Sequence, residues 1–144
     1  MQELIIPNPS SHDVVSYDIL LEGQAMNPSY QLLSLSIMKE INRIPVVKIM
    51  LRDGDAASRN FEISNTAELI PGKKIVVKIG FDGTNTQVFK GIITKQSIRV
   101  KGNGNTHLEV ECRDEAVKLT IGRKSKYFEN LTDSQLFGEL IGQY

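Results

Sequence analysis

The run Asp53-Gly54-Asp55 is the first candidate for a functional site, because its residue types and spacing match the beginning of a calcium-binding loop. A calcium site needs six or more oxygen ligands, and no further acidic residue follows at the required spacing. A turn that closes a strand explains the same residues better. His12 and His107 lie far from any suitably spaced carboxylate or cysteine, so we interpret both as surface residues. The sequence therefore predicts no metal site.

An acidic cluster could in principle supply a general acid and a general base. Its members are Glu109, Glu111, Asp114 and Glu115. Glu109 and Glu111 share the outward face of an alternating segment, and exposure to solvent accounts for them. A hydrolase would also need a nucleophile paired with a base, and no G-x-S-x-G turn provides one. We therefore predict no catalytic residue and no enzyme activity.

Two segments near the C-terminus resemble binding or modification motifs. Gly122–Lys126 is basic and contains a glycine, but it lacks the further glycines and the following helix of a phosphate cradle. Asn130-Leu131-Thr132 fits the glycosylation pattern, yet Thr132 is better explained as a helix cap. Neither segment predicts a cofactor site.

The single cysteine, Cys112, excludes an internal disulfide framework and a cysteine zinc site. Leu108, Val110 and Cys112 alternate with charged residues, which is typical of a half-buried strand. We therefore predict that Cys112 is a small buried hydrophobic residue.

Length and composition indicate one globular domain. The chain has 144 residues, of which 40% are hydrophobic and 24% charged. Its 17 basic and 17 acidic residues cancel, so no net charge attracts nucleic acid. No run is long enough to span a membrane, and the N-terminus lacks the features of a secretory signal. We expect synthesis in the cytoplasm and no membrane insertion by this chain.

The longest stretch with strand periodicity, residues 71–100, predicts a β-hairpin that turns at Asp82-Gly83. The apolar residues of the returning strand change from odd to even positions near Thr94. A side-chain period of two changes phase only at a bulge or where a strand crosses between sheets, and Gly91 is a plausible place for a bend. This pattern is typical of a strand at the corner of a barrel.

Alternating apolar residues predict further strands at 15–21, 30–41, 47–51 and 107–113. We also expect a short strand around Phe61 and Ile63, a turn at 101–105, and one helical turn at Glu115–Leu119. The chain ends in a predicted helix, because Thr132 and Gln135 have the spacing of a capping box. The apolar residues that follow at helical spacing are Leu136, Phe137, Leu140, Ile141 and Tyr144.

The chain contains, in order, the segments NRIPVVKIMLRDGD, PGKKIVVKIG, VFKGIITKQSIRV, LEVECRDEAVKLTIGRKSKYF and TDSQLFGELI. Together these segments resemble the N-terminal hub region of Vgr proteins, the spikes of type VI secretion systems. That family is related to the baseplate hub and late control D proteins of contractile-tail phages. The resemblance runs from about Tyr17 to the end of the chain.

The resemblance implies a mainly β fold, a tail-tube-like β-barrel module with a C-terminal α-helix, and neither enzyme activity nor a cofactor. Pro7 and Pro9 predict an extended lead-in (1–13), and the resemblance divides the rest into a barrel hub module (14–131) and a helix leading toward a second module (132–144). A complete hub has two such modules per subunit, so that a homotrimer presents a pseudo-sixfold ring to the hexameric tail tube protein. Baseplate components are further implied partners, and the protein is exported as part of a contractile apparatus. The expected assembly contacts are Leu136, Phe137, Leu140 and Ile141.

A small barrel of the OB type, which binds an oligonucleotide or oligosaccharide, is the alternative. Both folds have short strands, a strand that turns a corner and glycine-rich loops. A binder needs aromatic and basic residues on one surface, whereas a hub needs broad subunit contacts and free strand edges. Aromatic residues make up only 6% of the chain and include no tryptophan, which favours the hub.

Overall fold

The structure is a computed structural model, and it describes residues 14–54, 60–100, 106–123 and 125–142. The predicted mainly β fold with one C-terminal α-helix is confirmed. The predicted lead-in, residues 1–13, lies outside the described residues. The strands are β1 (Val15–Leu21), β2 (Gln24–Ala25), β3 (Leu32–Met38), β4 (Val46–Arg52), β5 (Lys74–Phe81), β6 (Thr84–Val100) and β7 (Thr106–Asp114). A 3-10 helix (Glu115–Thr120) and helix α1 (Asp133–Ile141) follow.

All seven strands belong to one antiparallel sheet with the order β2-β1-β5-β6-β7-β4-β3. Buried side chains of β1 and β4 belong to the same hydrophobic cluster, although three strands separate them in the sheet. Such packing requires the sheet to curl around its core, as in a barrel. β2 and β3 are its end strands, and no pairing between described residues joins them.

Strand β6 is where the sheet turns, because its first half pairs with β5 and its second half with β7. The predicted change of phase is confirmed: Ile93 lies opposite Cys112 and Lys95 opposite Glu111, so Thr94 is the extra residue of a bulge. Beyond the bulge, the even-numbered residues of β6 lie on the same face of the sheet as the buried residues Leu108 and Val110 of β7. A second bulge, at Val88, was not predicted.

The predicted Asp82-Gly83 turn is confirmed. Both residues have positive φ, 52° and 82°, as the tight hairpin turn between β5 and β6 requires. The predicted turn at 101–105 lies outside the described residues. The strands on either side of it pair as antiparallel neighbours, with Val100 opposite Thr106.

The central strand β7 carries the predicted core residues. Leu108, Val110 and Cys112 are each 0% exposed, which confirms the prediction for the cysteine. Burial, with a smaller contribution from the negative charge of Glu111, raises the pKa of Cys112 to about 12. The thiol is therefore a protonated core group at neutral pH.

One prediction on the same strand was wrong. His107 is buried, at 8% exposed, rather than a surface residue. Because β7 lies between β4 and β6, His107 is flanked on the same face by Arg52 and Arg99, whose long side chains stand beside it. His12 lies outside the described residues.

The connection before β5 also differs from its prediction. No strand forms around Phe61 and Ile63, and residues 62–65 form turns instead. Ile63 and Leu69 are buried in the main cluster, so this loop covers the core at the end of the barrel where β5 begins. The strand predicted at 30–41 is shorter, since β3 ends at Met38.

Candidate assembly surfaces

Helix α1 begins as the sequence predicts. Thr132 is the N-cap residue, and its N–H donates to the Gln135 side-chain oxygen at 3.0 Å. The Leu136 N–H donates to the Thr132 carbonyl at 2.9 Å and begins the helical hydrogen-bond pattern. A bridge between Lys126 and Glu139 ties the helix to the preceding segment.

The apolar face of α1 is largely uncovered. Phe137 is 60% exposed and Ile141 is 66% exposed, whereas Leu136 and Leu140 are half-buried. No residue of the helix is fully buried, and α1 has no extensive contact with any described strand. The described chain therefore does not supply the packing surface that these four predicted contact residues need.

A second apolar surface lies at the end of the barrel that no described segment covers. The chain directions place the Asp82-Gly83 turn at the end opposite the loop that covers the core. An open cavity of about 990 Å³ lies there between the end of β3 and the β5–β6 hairpin, and we call it the hairpin groove. Its lining is mainly apolar and consists of Ile37, Lys39, Ile79, Gly80, Phe81, Thr84, Thr86, Gln87 and Val88.

The apolar surface of the hairpin groove continues onto β1. Phe81 is 57% exposed and lies directly opposite Val15, and Ile79 lies opposite Tyr17. Val15 and Tyr17 are also exposed, although they share a strand face with the buried residue Ile19. At this end of the barrel, therefore, apolar residues on the core-facing side of the sheet lie beyond the core and are exposed. Strand alternation marks Phe81 as inward-facing, but it gave no sign that this end of the strand lies uncovered.

Strand β3 provides an unpaired edge. Within the described residues it pairs only with β4, and its seven residues, LLSLSIM, contain neither a charge nor a proline. Edge strands usually carry such features to prevent pairing with another chain. The edge of β3 is therefore a surface to which another strand can add.

The aspartate at the end of β4 has a structural role. The buried Asp53 carboxylate accepts hydrogen bonds from the N–H groups of Ile63 and Ser64, at 2.9 and 2.8 Å, and from the Ser64 hydroxyl. The Thr106 hydroxyl donates to the neighbouring Gly54 carbonyl at 2.6 Å. Asp55 lies outside the described residues. Asp53 thus holds the core-covering loop in place.

The carboxylates of the predicted acidic cluster form ion pairs and cap a helix. Glu109 pairs with Arg99 at 3.1 Å, and Glu111 pairs with Arg113 at 2.9 Å. Asp114 accepts the Ala116 N–H and caps the 3-10 helix, which forms where one helical turn was predicted. These carboxylates are not arranged as an acid and base around a shared cavity.

Two features are absent from the part of the chain that the structure describes. No three histidine, cysteine or acidic side chains there are grouped so that they could hold a metal ion. No described helix has both the length and the apolar character that crossing a bilayer requires.

The sequence matches the family model described as the Alg8 N-terminal domain over residues 11–144. The chain belongs to this family. Comparison of this Alg8 N-terminal domain with curated proteins finds no match. Among solved structures it is similar to the crystal structure of the prophage MuSo2 43 kDa tail protein from Shewanella oneidensis, with a TM-score of 0.57 and 12% sequence identity.

The likeness covers 88% of this chain and 38% of the tail protein, so the domain spans well under half of that protein's length. At this level of identity it shows the fold alone. The fold of this Alg8 N-terminal domain is thus that of part of a phage tail protein, which agrees with the phage-tail relation that the sequence resemblance implied.

Proposed function

We propose that this domain is a structural hub module of a phage-tail-like spike, which assembles with copies of itself and docks on the tail tube ring. The uncovered apolar face of α1 carries the proposal. Fully burying an exposed Ile or Phe side chain is worth about 1.5 to 3 kcal/mol, so Phe137 and Ile141, with the half-buried Leu136 and Leu140 beside them, form a strong contact once a partner covers them. The tail-protein fold and the unpaired edge of β3 support the same role.

The resemblance to Vgr proteins supplies the finer part of the proposal. In a complete spike we expect a homotrimer that contacts the hexameric tail tube protein and baseplate components. The module has no catalytic role and no cofactor, binds no nucleic acid and does not insert in a membrane. It is made in the cytoplasm and exported with a type VI secretion or related contractile apparatus.

Light scattering across a dilution series tests self-assembly. We expect the mean mass of the unmodified protein to rise with concentration and Phe137→Asp to lower it. Phe137 is exposed in the single chain, so this substitution should weaken association with little effect on folding. Leu140→Asp should weaken association as well, with an added cost to the helix because Leu140 is half-buried.

Ser134→Asp is the matched control, because it adds the same charge to an exposed position in the first turn of α1. An acidic residue there is favourable for the helix, so association should stay unchanged. A monomer at every concentration, with identical behaviour of all three variants, would refute self-assembly through α1.

A further inference from the structure

We infer that the hairpin groove of one copy is the docking site for helix α1 of a second copy. The inference rests on the proposed function and names the partner surface of the assembly helix. The two uncovered apolar surfaces described above are this groove and the α1 face. Each lacks, within the described residues of its own chain, the apolar partner that the other can provide.

The two surfaces match in chemistry. Helix α1 has nine residues and is therefore about 14 Å long, with an apolar stripe along one side. The groove presents Ile37, Ile79, Phe81 and Val88 in an open cavity of about 990 Å³. An amphipathic helix in an apolar groove is a recurrent mode of protein recognition, in which side chains on one helix face fill the groove.

Charge favours the same pairing. The groove lining contains one cation, Lys39, and no acidic residue. Helix α1 contains Asp133 and Glu139 and no basic residue. Glu139 already pairs with Lys126, so Asp133 in the first turn is the carboxylate that complements the lysine at the rim of the groove, whereas a basic amphipathic helix would be repelled there.

When the groove of one copy holds the helix of a second copy without the reverse contact, the interface is heterologous, and one free groove and one free helix remain. Such contacts close into a ring when the rotation between neighbours permits it and otherwise continue as a chain. A ring is the arrangement that a trimeric hub needs. The docking of α1 in the groove thus gives the proposed assembly a directional contact.

Disulfide trapping between two singly substituted proteins tests the contact. We expect a Phe81→Cys protein mixed with a Phe137→Cys protein to form a covalent dimer. The reaction should be at least about tenfold faster than for Phe81→Cys mixed with Tyr127→Cys, because docking raises the effective thiol concentration. Tyr127 is exposed in the segment before α1 and serves as the matched control. The unmodified protein should not cross-link, since its only cysteine, Cys112, is buried.

A separate pair of substitutions tests the contribution of Lys39 to the contact. Lys39→Glu should weaken association at low salt, whereas Lys74→Glu, at an exposed position at the opposite end of β5, should not. Equal effects of the two substitutions would contradict the predicted role of Lys39.

The remaining outcomes separate this inference from the proposed function. If the protein associates but the Phe81 and Phe137 variants cross-link no faster than the control pair, the docking site is wrong and self-assembly stands. A monomer at all concentrations refutes both. An intrachain disulfide in the Phe81→Cys/Phe137→Cys double variant at high dilution would show that the helix docks on its own groove. Preferred cross-linking of Phe81→Cys to Ile5→Cys would assign the groove to residues 1–13, since β1 begins beside Phe81.

Discussion

Cys112 is a core residue whose chemistry is governed by its surroundings. It sits on the central strand β7, between the paired residues Val47 of β4 and Ile93 of β6, and all three are buried. A thiolate in this apolar environment is disfavoured because it would lose its hydration, which is why its pKa lies at about 12. The side chain therefore contributes packing, not reactivity.

The raised pKa of Cys112 predicts an effect on stability at alkaline pH. Below the ordinary thiol pKa of 9.0 the folded and unfolded chains both keep the proton, and the group contributes no pH dependence. Between pH 9 and about 12 the unfolded chain loses the proton while the folded chain keeps it. The free energy of unfolding should then fall as pH rises, by up to about 1.4 kcal/mol per pH unit.

Urea unfolding of the native protein and of Cys112→Ala, from pH 8.5 upward, measures this contribution. All other groups are common to both proteins, so the difference between the two slopes isolates the thiol. Identical slopes would contradict the prediction. Labelling of the folded protein by a thiol reagent as fast as in denaturant would contradict the burial itself.

At the scale of the element, β6 joins the two halves of the sheet because it is long and changes phase at Thr94. Gly91 precedes that bulge, and a Cβ built there would meet the Arg113 carbonyl and the Phe89 ring. Its φ is not positive, so close packing of the backbone and not conformational freedom requires the glycine. A side chain at this position has no room.

Two glycine substitutions should therefore act in opposite directions. Gly91→Ala should destabilise the barrel by about 1 to 3 kcal/mol, because the added methyl group forces neighbouring backbone to move. Gly138→Ala, in open space on α1, should instead favour the helix by about 0.5 to 1 kcal/mol.

Thermal unfolding followed by circular dichroism distinguishes the two variants. We expect a lower midpoint for Gly91→Ala, and for Gly138→Ala an unchanged or higher midpoint with no loss of helical signal. A tolerated Gly91→Ala would mean that β6 and β7 can separate enough to admit a side chain, contrary to the register described here.

At the scale of the whole molecule, balanced charge predicts weak binding to nucleic acid. With 17 basic and 17 acidic residues the chain can neutralise few phosphates, so counterion release supplies little driving force. Several cations are also engaged within the protein, since Arg99, Arg113 and Lys126 each pair with a glutamate.

Fluorescence anisotropy with a short labelled single strand checks this expectation. At physiological ionic strength we expect dissociation constants weaker than about 10⁻⁴ M, the weak end of non-specific binding. Micromolar binding that falls steeply with added salt would favour the OB-type alternative over the hub module.

The sequence by itself determined the local elements of this protein. Strands β1, β4, β5 and β7 are visible because a side-chain period of two separates the core face from the solvent face, whatever the neighbouring strand is. The Asp82-Gly83 turn, the Thr94 phase change and the Thr132 cap are equally local, since each follows from a few consecutive residues. The candidate contact residues of α1 follow in the same way from helical spacing.

Only the tertiary structure decided what depends on distant neighbours. His107 is buried because β7 pairs on both sides, and Asp53 is buried because a loop ten residues further on donates to it. Neither partner can be read from the local pattern. The hairpin groove arises in the same way, because its apolar residues have the alternation of core residues but lie at the barrel end that no loop among the described residues covers. Whether an inward-facing side chain meets a core or an open end is fixed by strand order and relative strand length, which are non-local properties.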